Sequence, residues 1–206
     1  MDSWDQGPIA TEVEVAVVNE LCKLYQLGED ADGVFTSGGS QSNLSALTMA
    51  RDWYCNTVLG HDVKKLGLPS CYQKLRIYTS EVSHFSMEKS AHLLGLGYDA
   101  VRKVPVDELC RMDVQKLKTM LEEDVSEGLL PFCIVATIGT TDYGSIDPVE
   151  KLRVVCDAYN LHLHADAAYG SGLQLSQHYQ QRLGDLGLCD SITVDFHKMF
   201  LLPISC

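Results

Sequence analysis

Small and ionisable residues recur in short groups along the chain, each placed directly after a short apolar run. The first group is Gly38–Asn43, and later groups contain His84, Thr141, Asp166 and Lys198. Glycines and hydroxyl groups at a helix start suit a phosphate, because the first amide N–H groups of a helix lack intrahelical partners. A buried aspartate can pair with a cationic nitrogen, and a lysine in an apolar setting becomes a nucleophile. Together these residue types could bind a phosphorylated, imine-forming ligand.

The apolar runs alternate with segments that carry an apolar stripe at helical spacing, which predicts alternating strands and helices. The predicted strands cover residues 34–36, 75–79, 101–106, 132–138, 161–165 and 191–194. The predicted helices cover residues 11–27, the Gly38–Asn43 turn to about 59, about 84–94, 113–127, and a segment capped by Asp147 with Pro148 and Glu150 in its first turn.

This alternation predicts an α/β fold with three layers, namely a mostly parallel sheet with helices on both faces. We expect one domain over residues 1–206. The carboxyl ends of parallel strands meet at one edge of a sheet, and open α/β sheets bind ligands there. The polar groups that follow the strands should therefore converge on one pocket.

Composition excludes several classes of protein. The 206 residues carry 16 Lys and Arg against 28 Asp and Glu, a net charge of −12, and 46% are apolar. Such a chain can bury a core, and its acidity argues against nucleic-acid or anionic-membrane partners. No apolar run is long enough for a membrane span, and the N-terminus does not resemble a secretory signal. The eight cysteines form no Cys-x-x-Cys pair, so we expect reduced thiols and a cytoplasmic location.

Each candidate residue has a simpler interpretation when taken alone. Asp166 could cap a helix or form an internal salt bridge, and Lys198 could be a surface lysine. His162 and His164 share one face of a predicted strand. No third ligand has suitable spacing, so we predict no metal site and interpret both as half-buried structural histidines. The functional interpretation depends on the joint occurrence of these groups.

The joint set matches the needs of pyridoxal phosphate. Lys198 would form the Schiff base, and Asp166 would keep the pyridine nitrogen protonated so that the ring acts as an electron sink. The helix N-terminus with Ser40 would take the phosphate, and His84 could cover one face of the ring. The sequence therefore predicts a pyridoxal-phosphate enzyme.

The sequence resembles the large domain of the group II pyridoxal-phosphate-dependent amino-acid decarboxylases, which include aromatic-amino-acid, glutamate and cysteine-sulfinate decarboxylases. The resemblance spans essentially the whole chain and implies the fold-type I architecture of pyridoxal-phosphate transferases. It rests on an ordered series of segments, residues 36–43, 80–88, 136–141, 164–170 and 190–198.

The resemblance implies roles for individual residues. Lys198 matches the lysine that binds the cofactor covalently, Asp166 the partner of the pyridine nitrogen, and His84 the histidine stacked on the ring. Ala168 matches the small residue on the opposite ring face. The remaining matches are Gln41, Ser42 and His197 near the phosphate and Thr141 beside the cofactor.

One segment departs from the common family pattern. Many members carry Asn-Pro-His-Lys where this chain has Asp195–Lys198. With residues 3–6 and 202–206, this variant resembles the bacterial L-2,4-diaminobutyrate decarboxylases, which implies 1,3-diaminopropane as product. Family chains are longer and form homodimers, so we expect a large domain incomplete at both ends, without the small C-terminal domain. Alone it should bind cofactor poorly and decarboxylate little.

Other functions remain open from the sequence. The substrate could instead be glutamate, aspartate, cysteine sulfinate or an aromatic amino acid. An α/β-hydrolase would use Ser40, Asp166 and His197 in that chain order, but Ser42 stands where its turn requires glycine. A non-catalytic partner subunit of a longer enzyme is a further alternative.

Overall fold

The computed structural model describes residues 7–204. Five strands are present in this range: β1 (Leu75–Ser80), β2 (Val101–Val104), β3 (Leu130–Thr137), β4 (His162–Asp166) and β5 (Ser191–Thr193). They form one sheet in the order β2-β1-β3-β4-β5, and all four neighbouring pairs are parallel. The strand order reverses at β1, which has β2 on one side and β3 on the other. The carboxyl ends of β1 and β3 therefore form a topological switch point, where open α/β sheets bind ligands.

Six α-helices accompany the sheet within residues 7–204: α1 (Pro8–Leu24), α2 (Gly39–Thr57), α3 (Val63–Leu66), α4 (Ser86–Leu93), α5 (Val114–Ser126) and α6 (Val149–Tyr159). Helix α5 starts where Asp113 accepts hydrogen bonds from the amides of Gln115 and Lys116 at 2.9 and 3.1 Å. Helix α6 ends at Asn160 in the left-handed conformation, φ 55°, which asparagine tolerates at a helix end.

The alternation of side chains along β3 assigns the two faces of the sheet. Ile134 and Ala136 pack in one apolar cluster with side chains of α5 and α6. Cys133 and Val135 pack in a second cluster with side chains of α2 and α4. Because successive residues of a strand point to opposite faces, the helices cover both sides. The predicted three-layer α/β fold is confirmed.

Two predicted strands differ from the structure. Residues 34–36 form no strand: Val34 and Phe35 are exposed, and the Phe35 amide donates to Glu14 on α1 at 2.9 Å instead of to a strand. The strand predicted over residues 101–106 ends at Val104. Pro105 follows and has no N–H to continue the ladder.

The predicted cap of α6 is wrong. Pro148 occupies the position before the helix, and no side chain caps this terminus. The Asp147 carboxylate instead accepts from the amides of Met112 at 2.6 Å and Thr137 at 2.7 Å. Two buried amides from distant segments are stronger competitors for this carboxylate than the exposed first turn of a helix.

Seven cysteines lie in the described range, and all seven are free thiols. Between residues 7 and 204, no helix combines the length and apolarity needed to cross a membrane. The segments at residues 3–6 and 205–206, which contributed to the predicted subgroup, lie outside the described residues.

Candidate active site

The carboxyl ends of the strands and the start of α2 surround a cavity of about 680 Å³. A cavity of this size at this edge of a parallel sheet is suited to a small ligand. All of the sequence-predicted site residues except Ser42 line it: Ser40, Gln41, His84, Thr141, Asp166, Ala168, His197 and Lys198.

The glycine turn places the N-terminus of α2 at the cavity. Gly38 has φ +146°, which only glycine adopts readily. The amides of Gly39 and Ser40 bond to no acceptor in residues 7–204, as expected for the first turn of a helix. The Gln41 side chain folds back and accepts from the Ser37 amide at 3.0 Å. The turn therefore offers free N–H donors and a positive dipole end to an anion.

Ser42 is turned away from this cavity. Its hydroxyl lies 2.8 Å from the Thr193 hydroxyl on β5, and it lines a second cavity of about 130 Å³ between α1 and the sheet. A phosphate contact by Ser42 stays a prediction.

Asp166 ends β4 and is 5% exposed. Its Oδ1 accepts from the Ala168 amide at 3.3 Å and its Oδ2 from Asn43 Nδ2 at 3.0 Å. Burial raises its pKa above the usual aspartate range, while these hydrogen bonds and the nearby His84 and Lys198 act in the opposite direction. Each oxygen has a protein donor and a further lone pair, so the carboxylate can accept from a cationic nitrogen in the cavity.

His84 follows β1 and lines the cavity. Its Nδ1 lies 2.8 Å from Ser86 Oγ and 3.2 Å from the Ser86 amide nitrogen. Its ring centroid is 4.1 Å from that of Phe85. Burial lowers the pKa of His84, with the charge of Asp166 partly offsetting this effect. A neutral ring with Phe85 beside it and its Nδ1 edge held by Ser86 is suited to stacking on a planar ligand.

Lys198 has an ionic setting, so the predicted apolar environment is wrong. Its Nζ lies 3.9 Å from Asp195 Oδ2, and its side chain is 35% exposed. The other carboxylate oxygen of Asp195 lies 2.7 Å from His197 Nδ1. Asp195 stands only three residues before Lys198, and the turn after β5 brings the two charges together.

Ala168 and Thr141 border the cavity from the loops after β4 and β3. Ala168 is buried, and a Cβ placed on Gly39 would lie 3.5 Å from its methyl group. Thr141 is exposed at the opening. The two loops meet where the Gly170 amide donates to the Ile138 carbonyl at 2.9 Å, a contact with no room for a Cβ on Gly170.

The comparison with known families decides the kinship of the chain. Residues 1–206 match the pyridoxal-dependent decarboxylase conserved domain. The chain belongs to this family.

Individual relatives carry more specific names. The chain is 40% identical to L-2,4-diaminobutyrate decarboxylase of Acinetobacter baumannii and 45% identical to that of Rhizobium meliloti (strain 1021). In both cases all of this chain is covered, but only 42% and 39% of the relative. The chain thus spans about two fifths of the length of these curated relatives.

Solved structures agree with this kinship. The glutamate decarboxylase domain of diaminobutyrate-pyruvate transaminase and L-2,4-diaminobutyrate decarboxylase from Vibrio parahaemolyticus matches with a TM-score of 0.97 and 48% identity, over 100% of this chain and 45% of that one. Mouse CSAD matches with a TM-score of 0.91 and 34% identity, over 99% of this chain and 42% of that one.

Several cavity residues were missed by the sequence prediction. Asn43, Ser86 and Thr137 line the cavity and are buried. Thr137 Oγ1 has no hydrogen-bond partner within residues 7–204. Thr137 is the last residue of β3, so the rule that strand ends carry site residues could have found it. Asn43 belonged to the predicted glycine turn, but its partners lie 43 to 123 residues away and leave no local signal.

The alternative hydrolase triad is not assembled in this decarboxylase fold. His197 Nδ1 pairs with Asp195, whereas the Asp166 oxygens bond to Asn43 and Ala168. Ser40 lies on the first turn of α2 and is exposed.

The two histidines of β4 are more buried than predicted. His162 and His164 are 9% and 0% exposed and bond to Ser191. Among residues 7–204, no group of three or more His, Cys, Asp or Glu side chains could hold a metal ion.

Proposed function

We propose that this chain is the cofactor-binding part of a pyridoxal-phosphate-dependent L-amino-acid decarboxylase. The observation that carries the proposal is the cavity that brings Lys198, Asp166 and His84 to the N-terminus of α2, in a chain of this family. We propose further that the substrate is L-2,4-diaminobutyrate and that the products are carbon dioxide and 1,3-diaminopropane.

The residues present fit pyridoxal phosphate. Asp166 is a buried carboxylate with spare acceptor capacity, the partner that a protonated pyridine nitrogen needs. The unpartnered amides of Gly39 and Ser40 suit the phosphate. Thr137 Oγ1, buried and unpartnered, supplies a further polar group at the cavity. The ring nitrogen and the phosphate of the cofactor thus each have a chemically matching group.

Each predicted site residue has a role in this proposal. Lys198 would hold the cofactor covalently, give up this link to the substrate amine and return a proton to the substrate carbon. Asp166 would hold positive charge on the ring nitrogen, and His84 and Ala168 would contact the two ring faces. When bound, pyridoxal phosphate supplies an electron sink for the electron pair that carbon dioxide leaves behind. Phosphate and ring contacts are assigned to Ser40, Gln41, Ser42, His197 and Thr141.

The substrate proposal rests on the relatives. The two that are 40% and 45% identical are named L-2,4-diaminobutyrate decarboxylases, whereas those named acidic or aromatic amino-acid decarboxylases are 32% to 34% identical. Glutamate, aspartate, cysteine sulfinate and aromatic amino acids are therefore the competing substrates in the assay.

The covalent link gives the sharpest test. The protein is loaded with pyridoxal phosphate, reduced with borohydride to fix any imine, and mapped by peptide mass. We expect the label on Lys198. Lys89 also lines the cavity and is the matched control, so Lys89→Ala should retain the label and Lys198→Ala should lose it. A label on Lys89 would overturn the assignment.

Turnover is tested in two forms of the protein. One is the 206-residue chain, and the other is a hybrid in which it replaces the matching segment of the Rhizobium meliloti relative. Carbon dioxide release is measured with diaminobutyrate and the competing amino acids. Preference for glutamate or an aromatic amino acid would refute the substrate proposal, and absence of release from every substrate in both forms would refute decarboxylation.

We also propose a homodimer in the cytoplasm. Seven free thiols in the described range support a reducing compartment. Exposed apolar side chains along α1, namely Ile9, Val13 and Val15, support burial against a second copy. Light scattering on the purified protein measures the mass directly, and a monomeric mass at micromolar concentration would contradict the dimer.

A further inference from the structure

A buried chain of polar side chains lies behind the carboxylate of Asp166. Asn43, 2% exposed, places its Nδ2 3.0 Å from Asp166 Oδ2 and 3.1 Å from Ser86 Oγ. Its Oδ1 lies 3.0 Å from Nε2 of His164, which is fully buried. His164 Nδ1 in turn lies 2.9 Å from Ser191 Oγ. One amide thus connects α2, β4 and the segment after β1.

With Asp166 ionised, these contacts specify where the protons lie. An ionised carboxylate only accepts, so the Asn43 NH₂ group must face Asp166 and its carbonyl must face His164. His164 Nε2 must then carry a proton. Burial lowers the pKa of His164 to about 3, so the ring is neutral. With its proton on Nε2, its Nδ1 accepts from the Ser191 hydroxyl at 2.9 Å and also faces the Ser191 carbonyl oxygen at 3.2 Å. The amide orientation and the histidine tautomer determine each other.

The same amide reaches the ring-stacking histidine. Ser86 Oγ accepts from Asn43 Nδ2, so the Ser86 hydroxyl proton is free to donate to His84 Nδ1 at 2.8 Å. The Ser86 amide donates to the same nitrogen. The single NH₂ group of Asn43 therefore fixes both Asp166 and, through Ser86, His84.

We propose that Asn43 and His164 are positioning residues for the pyridine-nitrogen partner and the stacking ring. Asn43 stabilises the ionised form of Asp166 against the cost of burial, and the neutral Nε2–H tautomer of His164 keeps the Asn43 amide in the required orientation. This inference rests on the proposed function, because it assigns Asp166 and His84 to the same bound ring.

Matched variants separate positioning from packing. Asn43→Leu and His164→Leu keep approximate shape and remove the donors, whereas His164→Gln keeps an amide N–H near the position of Nε2. Thr79→Val is the control, since Thr79 is fully buried on β1 and its hydroxyl has no partner among residues 7–204. Circular dichroism and thermal melting confirm that each variant is folded.

Cofactor affinity and ring protonation are the readouts, both independent of turnover. In whichever form of the protein binds pyridoxal phosphate, Asn43→Leu should weaken binding by about 10-fold to 100-fold and His164→Leu by about 10-fold. His164→Gln and Thr79→Val should bind within about 3-fold of wild type. In the leucine variants, the ¹⁵N signal of labelled cofactor should show that the ring nitrogen loses its proton at a lower pH than in wild type. The shift should be about one pH unit for each tenfold loss of cofactor affinity.

Two outcomes would refute the proposal. One is wild-type affinity and ring protonation in both leucine variants, and the other is equal loss in His164→Gln and His164→Leu. If the variants unfold, the tautomer of His164 in the wild-type protein tests the proposal. Long-range ¹H–¹⁵N spectra of the cofactor-free protein should report a neutral His164 protonated at Nε2, and a proton at Nδ1 would overturn the inference. Failure of the wild type to bind cofactor would instead count against the proposed function.

Discussion

Two buried aspartates, Asp147 in the connection after β3 and Asp166 at the end of the adjacent strand β4, have different surroundings. Asp147 is 2% exposed, and its two oxygens accept from the backbone amides of Met112 and Thr137. Asp166 is 5% exposed, with one backbone donor, Ala168, and one side-chain donor, Asn43. Only Asp166 lines the large cavity. Asp147 cross-links two segments of backbone, whereas Asp166 is held at the edge of an open space.

The contrast between Asp147 and Asp166 separates a structural buried carboxylate from a functional one. Burial raises the pKa of both carboxyl groups, so the direction of the shift does not distinguish them. The partners do. A carboxylate with backbone donors on both oxygens and no cavity stabilises the fold, whereas one with spare acceptor capacity beside a cavity can bind a ligand.

The largest expected effect is the loss of activity on substitution of Asp166. Asp166→Ala should lower decarboxylation in the active form by about 1,000-fold or more, because no group then holds positive charge on the ring nitrogen. The free energy of unfolding should change by less than about 1.5 kcal/mol, because Asp166 lines the cavity, where water can replace the acceptor that Asn43 and Ala168 lose. Assays and urea unfolding measure the two quantities, and near-normal activity would contradict the assignment.

Substitution of Asp147 should lower stability and leave activity nearly unchanged. Asp147→Ala leaves the Met112 and Thr137 amides buried without a partner, at about 1–3 kcal/mol each. We expect the free energy of unfolding to fall by about 2–4 kcal/mol in urea denaturation. Activity per folded molecule should stay within about 3-fold of wild type. Unchanged stability would refute the cross-linking role.

The pH dependence of stability should also report on Asp147. Burial raises its pKa to about 6, above about 3.9 in the unfolded chain, so between these values the folded state binds more protons. Stability from this group is therefore fully present below about pH 4 and is lost as pH rises through about 6, by about 3 kcal/mol at most. Urea midpoints measured from pH 4 to pH 7 should fall with rising pH in the wild type and lose this pH dependence in Asp147→Asn. An unchanged pH dependence in the variant would show that it does not arise from Asp147.

The same two aspartates show what the sequence could predict. Asp166 was found because it follows an apolar run, and the ends of parallel strands meet at one edge. Asp147 was misassigned because Asp-Pro followed by Glu is a common helix start, and its true partners are 35 and 10 residues away. Local patterns predict the elements and their order. They do not contain the tertiary donors that compete for a side chain.

The setting of Lys198 has a similar lesson. Its flanking apolar residues indicated an apolar environment, but the turn after β5 places Asp195 beside it. The link between Asn43 and His164 joins residues 121 apart and lies beyond any local pattern. Hydrogen-bond partners on different layers therefore become known only from the structure. The edge of the sheet where the site residues gather can be predicted from the sequence.

The smallest expected effect extends the comparison to two threonines. Thr137 and Thr79 are buried on the adjacent strands β3 and β1, and neither hydroxyl has a partner within residues 7–204. Only Thr137 lines the large cavity. If spare hydrogen-bonding capacity beside a cavity marks a ligand contact, Thr137→Val should weaken cofactor binding by about 3-fold to 10-fold, with Thr79→Val unchanged. Each variant should keep wild-type stability or gain slightly, because an unsatisfied hydroxyl is removed. Fluorescence titration with pyridoxal phosphate measures the affinities, and equal values for both variants would restrict the rule to charged groups.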